Sequence, residues 1–375
     1  MSARELREHL AYWTDDVKIA AFRAALSSVV TPQSVVLDLG CGTGLLGLLA
    51  CEAGAARVYA VDAGPILSVA RELAAANGFS ERIVHINGWS TEVDLPELVD
   101  VVVADQMGGL AYDAGAFACF ADAQRFLKPG GAFIPSAFTL MLAAVESADD
   151  WSVVGGWKAK GTLDSAAISK YAANTPFNVH TPAKATLSKP VVIGHVLAGE
   201  LQPLLSRCVL EIQRPGVFHG LLGTFMATMA PGVTITNDPT APLPLRNRWR
   251  SFLALDDQHL VREGDLVVVD FDLRPRTQVL TWNVRIETAA GTVQESHSTF
   301  YGKFLSMGDV ANVAATRRFE AATDSKLVEA ALELAQGTRT IADVSKQLAA
   351  RFPERLPTEA AARRFVASMA DLLAR

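Results

Sequence analysis

The stretch SVVLDLGCGTGLLGLLACEAGAARVYAVDAG (residues 34–64) decides the fold of this chain. A short apolar run leads into a glycine-rich turn, a helical run follows, and a second apolar run ends at Asp62. This order predicts a β-turn-α-β unit with parallel strands. Apolar runs at 83–87 and 99–105 and a helical run at 116–127 continue the alternation. We therefore expect an α/β fold with a doubly wound, parallel sheet.

The pattern of apolar residues changes along the chain, which predicts several structural segments. Amphipathic helices precede the α/β domain, and short alternating apolar runs typical of antiparallel strands dominate the second half. A helix-only pattern closes the chain. The predicted segments are N-terminal helices (1–30), the α/β domain (31–148), a mixed segment (149–190), an antiparallel β-barrel or sandwich (191–304) and a small α-helical tail (323–375).

Composition limits the classes of partner and the cellular location that we expect. The chain has 375 residues and a formal net charge of −6, with no long basic stripe, which disfavours a nucleic-acid partner. Its four cysteines are scattered, which predicts a reducing compartment and no metal site. The first residues are charged, without a signal-peptide core, and no apolar run reaches membrane-spanning length. We expect a cytoplasmic protein with no membrane partner.

The turn after the first predicted strand has the chemistry of a ligand-binding loop. Gly40, Gly42 and Gly44 allow backbone N–H groups to approach a ligand closely. The spacing GxGxG, with Asp38 before it, is typical of class I S-adenosylmethionine methyltransferases. A tight structural turn and a nicotinamide dinucleotide site remain the alternatives.

A carboxylate at the end of the second strand strengthens the prediction of a nucleoside-containing cofactor. Asp62 is placed to accept hydrogen bonds from both hydroxyls of a ribose. Ser90, Thr91 and Glu92 follow the third strand, where they would contact an adenine or form a plain loop. The predicted S-adenosyl-L-methionine site on this domain comprises Asp38, Gly40, Cys41, Gly42, Gly44, Asp62, Ala63, Ser90, Thr91 and Asp105.

The loop VADQMGGLAYDAG (residues 103–115) carries Asp105 and Asp113 directly after the fourth strand. From about residue 9 to 303, the chain resembles the protein arginine methyltransferase family. In that family this loop carries two glutamates that flank a Trp-Met-Gly and hold the substrate guanidinium. The resemblance implies that Asp105 replaces the first glutamate, that Met107 and Gly108 are retained, and that Asp113 replaces the second glutamate if the loop is one residue shorter.

The N-terminal segment HLAYWTDDVKIAAFRAAL (residues 9–26) resembles the family segment that folds over the methyl donor. His9, Tyr12, Asp15 and Lys18 stand where that family has histidine, methionine, aspartate and arginine. The resemblance implies that Lys18 pairs with the donor's carboxylate, keeping the charge of arginine but losing its bidentate fork. A solvated helix face is the alternative for His9 and Lys18.

Two further segments carry the resemblance into the second half of the chain. Residues 247–249, Asn-Arg-Trp, occupy the place of the family's Thr-His-Trp loop, which completes the acceptor pocket. Trp249 is retained there, and Arg248 is expected to pair with Asp15 or to be a surface arginine. Residues 157–172 resemble the family's dimerisation arm, so a homodimer is implied.

Two carboxylates suit a cationic, planar guanidinium, because they bind it bidentately and offset its charge. Aspartate is shorter than glutamate by about one ångström, and a misplacement of that size is costly in catalysis. Either the shortened loop moves the backbone inward, or the acceptor is not an ordinary peptidyl arginine. Free arginine, another guanidine, an amine and an imidazole would each fit.

The resemblance implies an S-adenosylmethionine-dependent N-methyltransferase acting on a guanidino or related nitrogen of a protein, peptide or small molecule. One alternative is a methyltransferase acting on a non-guanidine small molecule or a ribosomal protein. Another is a catalytically silent scaffold that binds a partner. The helical tail would either recognise a peptide or pack on the β-rich domain.

Overall fold

The computed structural model describes residues 3–112, 116–158, 163–246, 248–289, 291–302, 325–335 and 340–368. The chain divides into two compact units, Met1–Lys303 and Phe304–Arg375. No helix in the described ranges is both long enough and apolar enough to cross a membrane.

The first sheet is parallel, as the alternating pattern predicts. Its spatial order is β3-β2-β1-β4-β5, so β2 and β3 lie on one side of β1, and β4 and β5 lie on the other. All side chains of β1 are buried, which explains its uninterrupted apolar run. The strands are β1 Val35–Leu39, β2 Arg57–Asp62, β3 Ile83–Asn87, β4 Val99–Val103 and β5 Leu127–Ile134.

Helices connect these strands and precede them. The predicted N-terminal helical segment forms two helices, of which the second is capped by Asp15. The helices are α1 Ala3–Trp13, α2 Asp16–Val29, α3 Leu45–Glu52, α4 Leu67–Ala76 and α5 Ala116–Ala123.

The region around Lys128-Pro129-Gly130-Gly131 differs from the sequence prediction. The helix expected over 116–127 ends at Ala123, a 3₁₀ turn follows at Gln124–Phe126, and the Pro-Gly stretch lies inside β5. Because β5 is an edge strand, proline need not donate to a neighbour there. The pairing of β4 with β5 also shifts register between Val99 and Val101, which accommodates the glycines.

The α/β sheet ends at Ile134, earlier than the predicted domain boundary at residue 148. The run at 132–147, which reads as one strand, splits at Pro135, since proline fixes φ and lacks an N–H donor. Its second part forms β6 Ala137–Val145, which belongs to the antiparallel region.

Two antiparallel sheets form the second half of this unit and share one apolar core. One has the order β7-β12-β10-β6-β8 with β11 on β10, and the other has the order β15-β14-β13-β9. Their alternating burial, as in β14, explains the alternating sequence pattern. The strands are β7 Phe177–Val179, β8 Val191–Leu197, β9 Leu204–Glu211, β10 Gly216–Ala230, β11 Val233–Thr236, β12 Arg250–Val261, β13 Leu266–Arg274, β14 Val279–Thr288 and β15 Gly291–Ser298.

The mixed segment before β8 is mostly helical. It contains α6 Ala148–Lys158, α7 Ser169–Ala173 and 3₁₀ turns at Ala166–Ile168 and Ala183–Ala185. A further short helix, α8 Thr299–Gly302, follows β15.

The second unit contains helices at Ser325–Leu334, Ile341–Arg351 and Glu359–Ser368. Thr340 begins the middle helix through a reciprocal capping box with Asp343. Of the predicted apolar faces, Val344 and Leu348 are buried, Phe365 packs against them, and Ile341 is exposed. Met369 and Leu372 lie outside the described residues.

Candidate functional site

The turn after β1 needs glycine for conformational and steric reasons. Gly40 and Gly42 have φ angles of +67° and +53°. A Cβ atom on Gly40 would collide with the side chain of Gln106, and one on Gly42 would lie 2.9 Å from the ring of His9. The backbone of this turn is therefore exposed to close approach by other groups.

The Asp62 carboxylate is fixed at the end of β2 by two backbone amides. Its Oδ2 accepts a hydrogen bond from the Gly42 N–H at 2.9 Å, and its Oδ1 accepts one from the Gly64 N–H at 2.7 Å. Each carboxylate oxygen has further lone-pair capacity for a hydroxyl donor. Asp62 is thus oriented beside the glycine turn, where it lines a cavity.

Asp38 is buried on β1 directly under the same turn. Its Oδ2 accepts the Gly47 N–H at 2.7 Å, which positions the start of α3. Its Oδ1 is buried and has no hydrogen-bond partner among the described residues. Burial raises the pKa of this carboxyl to about 7.

The N-terminal helices lie over the glycine turn. The Trp13 indole N–H donates to Thr43 Oγ1 at 2.9 Å, and His9 sits against Gly42. Asp15 accepts hydrogen bonds from the backbone N–H of Lys18 at 3.2 Å and of Arg246 at 3.1 Å. These contacts connect α1 and α2 to both the turn and the loop that precedes β12.

Asp105 follows β4 and is held between two cations. Its Oδ2 accepts from Lys18 Nζ at 2.8 Å, and its Oδ1 accepts from Arg248 Nη2. The Lys18 ammonium also lies 4.0 Å from the centre of the Tyr12 ring, a cation–π contact.

These charges decide the ionisation of Asp105. Burial raises its pKa, but the positive charges of Arg248 and Lys18 lower it more, so the pKa of this carboxyl lies below its ordinary value. Burial lowers the pKa of the Lys18 ammonium, and the nearby Arg248 contributes to that decrease. Asp105 is consequently a carboxylate at neutral pH.

The partner of Arg248 differs from the expected one. The predicted pair of Arg248 with Asp15 is wrong, because the guanidinium binds Asp105 instead. Arg248 is also buried rather than a surface arginine. Its side chain reaches Asp105 because the loop before β12 folds over the end of β4.

One cavity of about 1200 Å³ brings most of the predicted residues together. Trp249 is 44% exposed at its wall, and its ring lies 4.2 Å, centroid to centroid, from that of His180. The predicted residues that line it are His9, Tyr12, Lys18, Asp38, Gly40, Cys41, Gly42, Asp62, Asp105, Arg248 and Trp249.

Other predicted residues lie elsewhere. Met107 is fully buried in the core, and Ser90 and Thr91 are not among the described residues that line the cavity. The carbonyl oxygen of Ser90 accepts from Arg125 at 2.7 Å. Asp113 lies outside the described residues.

Asn237 is a site residue that the sequence does not reveal. Its fully buried side chain donates to the carbonyl oxygens of Gly109 at 2.6 Å and Trp249 at 2.7 Å, and accepts from the Phe225 N–H at 2.8 Å. It therefore links the loop that carries Asp105 to the loop that carries Arg248. An asparagine in a Thr-Asn-Asp-Pro stretch reads as an ordinary turn residue.

A cluster of potential metal ligands lies on β12 and β15, although the sequence suggests no metal site. It comprises Asp256, Glu295 and His297. Glu295 already pairs with His259 at 2.5 Å and with His297 at 3.2 Å.

The parallel sheet, the glycine turn and the acidic end of β2 define the class I methyltransferase architecture. The family described as "Ribosomal protein L11 methyltransferase (PrmA)" matches residues 23–141. This match covers the end of α2, the parallel sheet and the start of β6.

Curated proteins similar to this chain include several protein arginine N-methyltransferases. The chain is 34% identical over 168 residues to probable protein arginine N-methyltransferase 6 of Arabidopsis thaliana, covering 43% of this chain and 39% of that protein. It is 32% identical over 227 residues to probable protein arginine N-methyltransferase 6.1 of Oryza sativa subsp. indica, covering 56% of this chain and 59% of that protein. The chain thus matches about half of the length of such relatives. It is 26% identical to protein arginine N-methyltransferase 1 of Dictyostelium discoideum, covering 70% of this chain and 80% of that protein. The chain is therefore similar to curated protein arginine N-methyltransferases over part of their length.

Solved structures confirm the fold. The chain superimposes with a TM-score of 0.67 and 21% identity on the Trypanosoma brucei PRMT1 enzyme–prozyme heterotetrameric complex with AdoHcy, covering 77% of this chain and 97% of that one. Arabidopsis thaliana protein arginine methyltransferase 10 gives a TM-score of 0.63 at 19% identity, covering 78% of this chain and 98% of that one.

Proposed function

We propose that the chain is an S-adenosylmethionine-dependent N-methyltransferase that methylates a guanidino or related nitrogen of a protein, peptide or small molecule. The observation that carries this proposal is the placement of Asp105 beside the glycine turn. Strands β1 and β4 are neighbours at the point where the sheet order reverses, and ligands of such sheets bind at that crevice. The side chain of Gln106, next to Asp105, lies directly against Gly40.

The donor end of the cavity fits S-adenosylmethionine, which supplies an electrophilic methyl group on a positively charged sulfur. Gly40 and Gly42 have no side chain of their own, so a ligand can approach their backbone closely. Asp62 is oriented to accept the ribose hydroxyls. His9 and Tyr12 line the cavity from α1.

The acceptor end positions a nitrogen more than it removes a proton. Asp105 stays ionised because Arg248 and Lys18 lower its pKa, so it is a weak general base. It would accept a hydrogen bond from an acceptor N–H and direct the nitrogen lone pair toward the methyl group. An in-line displacement depends mainly on such positioning.

We further propose that the protein forms a homodimer through the segment at 157–172. Three of its described apolar side chains are exposed: Trp157 at 42%, Leu163 at 83% and Ile168 at 39%. Exposed apolar side chains within one segment support its use as a protein interface. Sedimentation analysis should show a dimer that Leu163→Glu dissociates, whereas an unchanged dimer would contradict this interface.

Donor binding tests the proposed function directly. Calorimetric titration with S-adenosylmethionine should give a defined 1:1 affinity per chain. Asp62→Asn should weaken it at least about tenfold, because a charged acceptor is lost. Asp270→Asn, an exposed aspartate on β13, is the matched control and should leave the affinity unchanged. No binding by the wild-type protein would overturn the proposal.

A further inference from the structure

The carboxylate that should orient the acceptor is already bound to a guanidinium of the chain itself. Arg248 donates to one oxygen of Asp105, while Lys18 donates to the other at 2.8 Å. Both cationic side chains are almost fully buried, with exposures of 7% and 5%. These contacts are therefore buried interactions within the cavity and not an ion pair on the protein surface.

Two cationic side chains surround Asp105 at this end of the cavity. Lys18 and Arg248 face a single carboxylate, Asp105, and all three line the cavity. The Asp15 carboxylate lies nearby and offsets part of the Lys18 charge, but Asp15 does not line the cavity. Asp113 lies outside the described residues. A cationic acceptor would enter against two resident cations in a partly desolvated site, where like charges repel strongly.

Arg248 keeps unused capacity for a ligand. Among the described residues, its side chain donates through Nη2 to Asp105. A guanidinium offers five N–H donors in a planar fork that matches a carboxylate. The neighbouring Trp249 ring, packed against His180, supplies an apolar wall beside it.

We infer that the acceptor carries a carboxylate in the same small molecule as the nitrogen that is methylated, and that Arg248 binds this carboxylate. The acceptor is then a free amino-acid-like guanidine or amine, since an arginine inside a peptide has no such group of its own. This inference rests on the proposed function and specifies the substrate class of the same site.

A matched pair of probes isolates the carboxylate. Free L-arginine and agmatine share the guanidino group and the carbon chain, and agmatine lacks only the carboxylate. Both would be titrated by calorimetry into protein saturated with S-adenosylhomocysteine, so that affinity is read without turnover. An arginine-rich peptide is the third probe, and methyl transfer from labelled donor is the second readout.

The inference predicts that wild-type protein prefers arginine to agmatine by about tenfold to a hundredfold, the worth of a charge-assisted hydrogen bond. Arg248→Met should abolish the preference by weakening arginine alone, and Arg248→Lys should keep part of it. Arg246→Met, an exposed arginine of the same loop, is the control and should keep the full preference. Thermal unfolding would verify that each variant is folded.

Three results would overturn the inference. One is equal affinity of the wild-type protein for arginine and agmatine. Another is that Arg248→Met binds agmatine or peptide more tightly than the wild-type protein does. That result would mean that Arg248 occupies the place of a cationic acceptor at Asp105 and is displaced by it. The third is no binding of either small probe while S-adenosylhomocysteine binds. Failure of S-adenosylhomocysteine itself to bind would instead overturn the proposed function.

Discussion

The indole N–H of Trp13 donates to the hydroxyl of Thr43 at 2.9 Å, which fastens the first helix to the glycine turn. Through this bond, the position of α1 depends on the same turn that would contact the methyl donor. Closure of the N-terminal segment and occupancy of the donor end should therefore be coupled.

Trp13→Phe should weaken donor binding about fivefold, because it removes one partly buried hydrogen bond worth about 1 kcal/mol. In the donor-bound state, the amide hydrogens of α1 should exchange with deuterium faster in Trp13→Phe than in the wild-type protein. Calorimetry and exchange mass spectrometry measure the two effects. Asp270→Asn, an exposed position on β13, should change neither quantity. Unchanged donor affinity and exchange in Trp13→Phe would argue against the coupling.

Asn237→Asp should lower stability by about 2–4 kcal/mol, although the side chain keeps its size. The substitution removes the two donors that bind the carbonyl oxygens of Gly109 and Trp249, and it buries a charge. Urea unfolding measures the change. We also expect weaker acceptor binding with donor binding retained, since both linked loops line the acceptor end. Equal loss of both affinities would show a merely structural role.

Asp38 should make stability fall as pH rises from about 4 to 7. Its pKa rises from 3.8 to about 7 on folding, so between these pH values the unfolded chain has lost the proton while the folded chain still holds it. Rising pH therefore stabilises the unfolded state relative to the folded state over this range. The effect amounts to at most about 4 kcal/mol. Asp38→Asn should flatten this part of the pH–stability curve, measured by urea unfolding at several pH values. Asp270→Asn should leave the slope as in the wild type, and an unchanged slope in Asp38→Asn would refute the raised pKa.

The parallel sheet follows from sequence because its causes are local. Strand β1 is buried along its whole length, and the glycines after it adopt backbone conformations that other residues avoid. The edge strands were harder to predict. Strand β5 contains a proline and two glycines, and β15 is largely polar and exposed, so neither shows the usual pattern.

The contacts within the site depend on tertiary structure, which a sequence does not display. Asp105 and Arg248 are far apart along the chain, and a choice between Asp15 and Asp105 as the partner of Arg248 requires the path of the loop before β12. The role of Asn237 has the same origin, because it bridges two loops that meet only in the folded chain.

The most direct test of the proposed activity is a single-turnover methyl-transfer measurement with labelled S-adenosylmethionine. Wild-type protein and Asp105→Asn would each be mixed with free arginine and, separately, with an arginine-rich peptide. Donor affinity, measured in parallel, verifies that the variant is folded. We predict transfer by the wild type and a loss of about a hundredfold or more in Asp105→Asn, with donor affinity changed by no more than about threefold. Undiminished transfer in Asp105→Asn, or no transfer to either acceptor by donor-bound wild-type protein, would contradict the account.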